Sequence, residues 1–126
     1  MEKKVKILIV EDTTIIALLL KKELEIKGFE VCGLAPTGAL AIKLAAEKDP
    51  DLILMDIGLA DDIDGIEAAE RIIAKKNIPV IFLTGYTEAV LKERAEHLNP
   101  AAYFHKPTGS DQIKEVIDSV MQKHLK

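Results

Sequence analysis

The chain has 126 residues, one cysteine and a formal net charge of −4. This length suits one domain, a lone cysteine excludes an internal disulfide, and the acidic balance argues against direct contact with nucleic acid. Because the sequence has no signal peptide and no apolar run of about 20 residues, we expect a soluble, cytoplasmic protein with no membrane contact.

Short apolar runs alternate with longer segments of helical period, a pattern typical of βαβ units. The sequence predicts strands near residues 5–10, 29–34, 51–55, 79–83 and 101–105. It predicts helices from about residue 13 to 28, and at about 38–48, 65–76, 87–97 and 110–124. All of these strands except the second are near-continuous aliphatic runs, as expected for parallel strands covered on both faces. The expected fold class is therefore α/β, a doubly wound parallel sheet.

Local signals set the ends of the predicted helices. Asp12 or Thr13 is expected to cap the first helix, and Gly28 to stop it. Ser110 or Asp111 is expected to cap the last. Because no linker or repeat interrupts the pattern and the last helix runs to the terminus, we expect residues 1–126 to form a single domain, with no room for an output domain.

A polar group of a different kind stands at the end of four predicted strands. Glu11 and Asp12 follow the first strand, Asp56 follows the third, Thr84 ends the fourth run, and Lys106 follows the fifth. The carboxyl ends of parallel strands lie side by side at the edge of the sheet where ligands bind. We therefore expect three carboxylates, a hydroxyl and an ammonium group to converge there, a set that suits a divalent cation and a phosphoryl group.

This set of side chains predicts phosphoryl chemistry. The Asp56 carboxylate is expected to act as a nucleophile towards phosphorus and form an acyl phosphate. Asp12 and Asp56 offer hard oxygen ligands for Mg²⁺, and Glu11 can hold a coordinated water. Lys106 is a point charge for one phosphate oxygen and a counter-ion to Asp56, while the Thr84 hydroxyl donates to another oxygen. Each residue alone has an ordinary explanation as a cap, turn or loop residue, so the specific signal is their joint occurrence at successive strand ends.

The chain resembles the receiver domain of two-component response regulators over essentially its whole length. The matching pieces are Glu11-Asp12, Asp56 after its apolar strand, Asp64-Gly65, Thr84-Gly85 and Tyr103-Phe104-His105-Lys106-Pro107. The resemblance implies a flavodoxin-like, five-stranded parallel sheet of order 2-1-3-4-5 flanked by five helices. It implies that a sensor histidine kinase donates a phosphoryl group from a phosphohistidine to Asp56. It also implies that the backbone carbonyl of Gly58 joins the Mg²⁺ ligands.

The same resemblance implies a switch built from Thr84 and Tyr103. In the family, the phosphate draws in the hydroxyl, and the aromatic ring then turns inward. The face of the fourth helix, fifth strand and fifth helix changes and signals to a downstream protein target or output domain. A homodimer formed on phosphorylation is one form of such signalling. The domain is not expected to be an enzyme beyond its own phosphotransfer and autodephosphorylation. The Lys106–Pro107 bond is expected to be cis.

One loop departs from the family pattern. Receivers commonly place a Met-Pro-like pair between the phosphoacceptor and the Asp-Gly that opens the third helix. Here residues 58–63 form a stretch that is one residue longer, has no proline and carries Asp61 and Asp62. The departure bears on phosphate lifetime and kinase docking, and leaves the phosphorylation chemistry intact.

Two other functions are compatible with parts of the pattern. A haloacid-dehalogenase-like phosphatase also pairs an aspartate nucleophile with Thr, Lys and Mg²⁺, but it wants a second aspartate where this chain has Gly58. A non-phosphorylated interaction module would keep the fold and lose the chemistry, yet all the expected site residues are present. Dinucleotide binding has no support, because no Gly-x-Gly-x-x-Gly follows the first strand. A stand-alone regulator and a piece of a longer protein both fit the sequence.

Overall fold

Strands and helices alternate along the chain in the computed structural model, which describes residues 4–59, 63–85, 89–105 and 109–124, without the side chains of 84, 89–91, 105 and 124. The elements are β1 (Lys6–Val10), α1 (Thr14–Ile26), β2 (Glu30–Ala35), α2 (Gly38–Lys48), β3 (Leu52–Asp56), α3 (Gly65–Lys75), β4 (Val80–Thr84), α4 (Ala89–Glu96), β5 (Ala102–His105) and α5 (Ser110–His124). They confirm the predicted elements to within a residue or two at their ends.

The five strands form one parallel sheet in the order β2-β1-β3-β4-β5, which confirms the expected fold class and topology. β1 and β3 lie at its centre, and every residue of β3 is buried. In the register of this central pair Val10 stands opposite Met55, and in the next pair Asp56 stands opposite Leu83. The carboxyl ends of β1, β3 and β4 therefore reach the same level of the sheet.

Two apolar layers, one on each face, hold the sheet between its helices. Successive side chains of a strand point to opposite faces, so each central strand contributes to both layers. On one face, β1 and β3 pack against α1 and α5 through Ile7, Ile9, Leu52, Leu54, Leu24, Ile113 and Ile117. On the other face, they pack mainly against α2 and α3 through Leu8, Val10, Ile53, Met55, Ala41, Ala45, Ala69 and Ile72. This two-sided burial explains the near-continuous aliphatic sequence of the central strands.

Side-chain caps fix the beginnings of α2 and α3. The Thr37 side chain accepts a hydrogen bond of 3.1 Å from the backbone N–H of Leu40. Asp64 accepts one of 2.8 Å from the backbone N–H of Glu67. Such caps satisfy N–H groups that have no partner within the helix.

The ends of α1 and α5 follow the sequence signals less closely. Thr13 is the N-cap residue of α1, as predicted, but its side chain makes no capping hydrogen bond. Gly28 lies just past the helix with a φ of 98°, a left-handed conformation that favours glycine. The prediction that Ser110 or Asp111 caps α5 is wrong, because the helix already begins at Ser110 and Asp111 lies in its first turn.

Two ion pairs each connect two neighbouring helices, one ion pair on each face of the sheet. Lys27, just after α1, contacts Asp111 at the start of α5. Lys76, just after α3, donates to the Asp49 carboxylate over 2.9 Å at the end of α2. The hydrogen bond from Lys76 lowers the pKa of Asp49, and the one from Lys27 lowers the pKa of Asp111. Both aspartates are exposed, so each pair contributes little to stability.

The Asp49 pair predicts a small pH-dependent contribution to folding. Asp49→Asn removes the charge but suits the left-handed backbone at this position (φ 49°). A folded-state pKa below the ordinary value of 3.8 means that the stabilisation is present above pH 4 and is lost as the pH falls through the lowered pKa. In urea unfolding, the variant should be slightly less stable at pH 7 and equal to the native chain at the acid end. In a Lys76→Gln background, Asp49→Asn should leave the free energy of unfolding unchanged. A stability difference between the native chain and Asp49→Asn that does not vary with pH would contradict the assigned role of the ion pair.

Candidate functional site

Three carboxylates meet at the carboxyl ends of β1 and β3. One oxygen each from Glu11, Asp12 and Asp56 lies within 4.8 Å of the others. Glu11 is 6% exposed and Asp56 is 7% exposed, and no other charged side chain in the described part of the chain is as deeply buried. Asp12 is half-buried. A concentrated negative charge therefore lies at the edge of the sheet where the sequence predicts a ligand site.

The junction between β1 and α1 positions two of these carboxylates. Because Val10 stands opposite Met55, the next residue on each strand, Glu11 and Asp56, lies at the same level. The Glu11 backbone N–H donates to the Ala35 carbonyl over 3.0 Å and so extends the pairing of β1 with β2. The Glu11 side chain accepts from the backbone N–H of Thr13 at 3.2 Å, which directs it back towards the start of α1.

Backbone contacts hold Asp56 from the side of α3. The Gly58 N–H donates to one oxygen of the Asp56 carboxylate over 3.1 Å. The Gly65 N–H donates to the Ile57 carbonyl over 3.1 Å. A Cβ atom at Gly65 would lie only 2.0 Å from the Asp56 carbonyl oxygen. The Asp-Gly motif of the sequence thus has a physical role here: the glycine lets the start of α3 pack directly on the backbone of Asp56.

An ion pair links the same motif to α4. Asp64, the cap of α3, accepts from the Arg94 guanidinium over 3.0 Å and 3.5 Å, one contact for each carboxylate oxygen. The two residues stand 30 positions apart in the chain, so no local spacing in the sequence indicates the contact. Through it, the segment that follows Asp56 is connected to a helix of the other sheet edge.

Tyr103 lies in β5, half-buried against the core. Its ring meets that of Phe82, its partner in the register of β4 and β5, edge to face with the centroids 6.4 Å apart. Burial raises the pKa of the Tyr103 hydroxyl, and the charge of Glu96 adds to the effect. The expected switching of this ring stays a prediction.

Several predicted site features fall outside the described residues. These are Lys106 with its bond to Pro107, the acidic pair Asp61-Asp62 and the side chain of Thr84. The backbone of Thr84 ends β4, opposite His105 of β5 and one residue past the partner of Asp56. The structure thus brings Glu11, Asp12, Asp56 and Gly58 together, and it places the end of β4 beside them.

The carboxylate cluster fits a magnesium ion. Two ligands on one Mg²⁺, each about 2.1 Å from the ion, lie at most about 4.2 Å apart, so a spread of 4.8 Å needs only a small side-chain adjustment. Two carboxylates about 5 Å apart repel by roughly 3 kcal/mol at an effective dielectric constant of 20. A divalent cation relieves this repulsion, and carboxylate oxygens are the donors that Mg²⁺ prefers.

Comparison with known proteins identifies the class to which this fold and site belong. Residues 7–118 match the family described as the response regulator receiver domain. The chain belongs to this family, so it is a receiver domain of two-component response regulators.

Individual relatives match along most of the chain. The transcriptional regulatory protein PdtaR of Mycobacterium tuberculosis (strain H37Rv) is 33% identical over 118 residues, which cover 94% of this chain and 57% of PdtaR. Sporulation initiation phosphotransferase F of Bacillus subtilis is 32% identical over 113 residues, 89% of this chain and 90% of that protein. The crystal structure of the signal receiver domain of a modulated diguanylate cyclase from Desulfovibrio desulfuricans superposes with a TM-score of 0.91, at 35% identity and 96% coverage of both chains. The chain thus spans little more than half the length of PdtaR.

None of the helices in the described ranges combines the length and the apolar character that a membrane crossing requires.

The close contact of Gly65 with Asp56 predicts different stability effects for two Gly→Ala substitutions. Gly65→Ala should lower the free energy of unfolding by about 1–3 kcal/mol, since its Cβ would force the start of α3 away from Asp56. Gly85→Ala, at an exposed glycine outside the helices where a Cβ would meet nothing within 4 Å, should be near neutral. Urea unfolding measures both, and equal effects would contradict the assigned role of Gly65.

The carboxylate cluster predicts that Asp12→Asn changes the thermal midpoint differently in the absence and in the presence of Mg²⁺. Asp12→Asn should raise the thermal midpoint in the presence of a chelator, because it removes repulsion within the cluster. Millimolar Mg²⁺ should raise the midpoint of the native chain and change that of the variant much less. Asp118→Asn, on the exposed side of α5, serves as the control and should keep the full response to Mg²⁺. A native chain that does not respond to Mg²⁺ would exclude the metal site.

Proposed function

We propose that this receiver domain, extending over residues 1–126 as one unit, takes a phosphoryl group from a histidine kinase onto Asp56 and passes the signal to an output or effector partner. The observation that carries the proposal is the deeply buried Asp56 carboxylate within 4.8 Å of oxygens from Glu11 and Asp12. A carboxylate held in this way has a fixed position for attack, and the neighbouring acids supply a place for a cation. The match to a relative named as a phosphotransferase, over 90% of that relative, supports the same chemistry.

The proposed step is an in-line phosphoryl transfer. One Asp56 carboxylate oxygen forms a bond to phosphorus while the bond from phosphorus to the imidazole nitrogen of the phosphohistidine breaks. The electron pair of that bond returns to the imidazole, and Asp56 becomes an acyl phosphate. The Gly58 N–H, which donates to the carboxylate over 3.1 Å, orients the carboxylate so that its second oxygen can attack. Positioning of this kind is the main contribution a protein makes to phosphoryl transfer.

The other predicted site residues are assigned to Mg²⁺ binding and to contacts with the phosphoryl oxygens. Asp12, Asp56 and the Gly58 carbonyl would hold Mg²⁺, with Glu11 binding a coordinated water, and the ion would supply positive charge to the phosphoryl oxygens. The Lys106 ammonium and the Thr84 hydroxyl are proposed to neutralise and hydrogen-bond the other oxygens.

Signalling is proposed to run from Asp56 to the face formed by α4, β5 and α5. Two contacts of the described residues support this direction. The Asp64–Arg94 pair joins the loop after β3 to α4, and the packing of Tyr103 on Phe82 joins β5 to β4. A phosphoryl group that draws in Thr84 would change both sides of this face. The added charge at Asp56 would then shift the equilibrium between two conformations of the face. A homodimer formed on phosphorylation through this face, and the cytoplasmic location expected from the sequence, stay predictions.

Phosphorylation by a small-molecule donor tests the assignment of Asp56. Incubation with acetyl phosphate and Mg²⁺ should add a single phosphoryl group, detected by intact mass spectrometry and removed by hydroxylamine as expected for an acyl phosphate. Asp56→Asn should abolish the addition, whereas Asp118→Asn should leave it unchanged. Phosphorylation that survives in Asp56→Asn would show that the acceptor is another residue. Multiple turnover of a generic phosphate ester by the native chain would instead favour the phosphatase alternative.

A further inference from the structure

The backbone carbonyl of Ile57 closes the loop that leads from β3 to α3. It accepts a hydrogen bond of 3.0 Å from the Leu59 N–H and one of 3.1 Å from the Gly65 N–H. A carbonyl oxygen has two lone pairs, so it can hold both donors at once. We call residues 57–65 the β3–α3 loop, of which the structure describes 57–59 and 63–65. Its beginning and its end are therefore bound to the same atom.

The hydrogen bond from Leu59 fixes the direction of the Gly58 carbonyl. The peptide group between Gly58 and Leu59 is planar and trans, so its N–H and its C=O point in opposite directions. With the Leu59 N–H bound to the Ile57 oxygen, the Gly58 carbonyl points away from that oxygen. The Gly58 N–H is held as well, by the Asp56 carboxylate over 3.1 Å. Both peptide groups of Gly58 are thus fixed by hydrogen bonds.

Two apolar side chains anchor the β3–α3 loop in the core. Leu59 is 8% exposed and belongs to the apolar layer on the side of α2 and α3. Ile63 is partly buried against the same layer. The sequence has no proline at residues 58–63 to restrict the backbone. The conformation of the loop therefore depends on how these two side chains pack.

The start of α2 meets the loop at Gly38. A Cβ atom at Gly38 would lie 2.6 Å from the backbone oxygen of Ile63 and 2.9 Å from its Cγ2 atom. Among the glycines of the described residues, a positive φ occurs at Gly28, so at Gly38 close packing and not backbone conformation explains the absence of a side chain. Gly38 is itself buried. Any side chain at position 38 would therefore push Ile63, and with it the end of the loop, away from α2.

We propose that Gly38, Leu59 and Ile63 are positioning residues for the metal site: the packing of the β3–α3 loop on the start of α2 sets the direction of the Gly58 carbonyl and thereby the affinity for Mg²⁺. All three act through the peptide group between Gly58 and Leu59 and supply no ligand atom themselves. The inference rests on the proposed function, because it takes the Gly58 carbonyl as a Mg²⁺ ligand. Residues that orient metal ligands commonly change metal affinity by about tenfold or more when they are replaced.

A matched pair of isoleucine variants tests the role of Ile63. Ile63→Ala and Ile73→Ala each truncate a partly buried isoleucine that packs on the same apolar layer, so both should lower the urea midpoint. Ile63→Ala alone should weaken Mg²⁺ binding, by about tenfold, in a calorimetric titration. Ile63→Val keeps the Cγ2 atom that meets Gly38 and should bind Mg²⁺ like the native chain. Native affinity in Ile63→Ala, or an equal loss in Ile73→Ala, would overturn the proposal.

A matched pair of glycine variants tests the contact with α2. Gly38→Ala should weaken Mg²⁺ binding about tenfold or more. A Cβ atom at Gly33 would meet only the side-chain ends of Leu8 and Leu44, at 3.3 Å and 3.5 Å, within the same apolar layer. Gly33→Ala should therefore leave the Mg²⁺ affinity unchanged. Circular dichroism melts in a chelator establish which variants fold, and Ile63→Ala, which adds no clash, decides the outcome if Gly38→Ala does not.

Amide hydrogen exchange tests the proposed route through the peptide group directly. In the absence of Mg²⁺, the Leu59 amide should exchange several-fold faster in Ile63→Ala than in Ile73→Ala, because its hydrogen bond to Ile57 loses the support of the loop packing. A loss of global stability alone would speed exchange in both variants alike. Equal exchange of the Leu59 amide in the two variants would overturn the proposal.

The outcomes separate this proposal from the proposed function. If the native chain takes a phosphoryl group on Asp56 and Ile63→Ala binds Mg²⁺ like the native chain, only the positioning role is overturned. If the native chain binds Mg²⁺ and accepts no phosphoryl group, the proposed function fails, while a weakened affinity of Ile63→Ala still supports the positioning role. A native chain that binds no Mg²⁺ overturns the positioning role together with the metal assignment.

Discussion

The register between β1 and β3 is the constraint on which the site depends. Side chains alternate between the two faces of a strand, so a slip by one residue would turn Asp56 away from Glu11 and bring a core residue to the edge. The register is fixed by burial, since every residue of β3 is enclosed and each buried Leu, Ile or Met contributes roughly 1.5–3 kcal/mol. Against this, mutual repulsion of the carboxylates, about 3 kcal/mol for a pair, is a modest cost. The apolar core therefore holds together a charged cluster that would otherwise separate.

A second constraint acts through the backbone at the start of α3. Gly65 lies so close to the Asp56 carbonyl that no side chain fits between them, and its N–H donates to the next carbonyl along. The preceding residue, Asp64, caps α3 and also binds Arg94 of α4. Two adjacent residues thus join the strand that carries Asp56, the helix that follows it and a helix at the far side of the sheet. Contacts through Gly65 and Asp64 thus connect the backbone of Asp56 with α4.

The sequence predicted the elements well because each rests on a local pattern. Continuous aliphatic runs marked the strands, and Gly38–Lys48 and Ser110–His124 form helices with the predicted bounds. The cap of α5 was predicted wrongly, because the helix begins at Ser110, at least one residue earlier than either predicted cap allows. The convergence of Glu11, Asp12 and Asp56 followed from the parallel sheet, whereas the strand order came from the family resemblance. The Asp64–Arg94 pair had no signal, because periodicity says nothing about contacts between helices distant in sequence.

The orientation of α1 on the sheet could not be predicted from the hydrophobic periodicity of its sequence. Aliphatic residues occupy most positions of the helix, so helical spacing identifies the helix but cannot choose which face is buried. The sheet decides: it buries the small Ala17 and the large Leu24, with Leu20 partly buried against the same core, and it leaves Ile15 and Ile26 more than 70% exposed. The outward aliphatic residues therefore contribute little to the fold, and replacing them with polar residues would remove few contacts. Single exposed aliphatic residues are ordinary, whereas five on a helix that begins beside the carboxylate cluster form a patch of the kind that marks interaction surfaces in proteins generally.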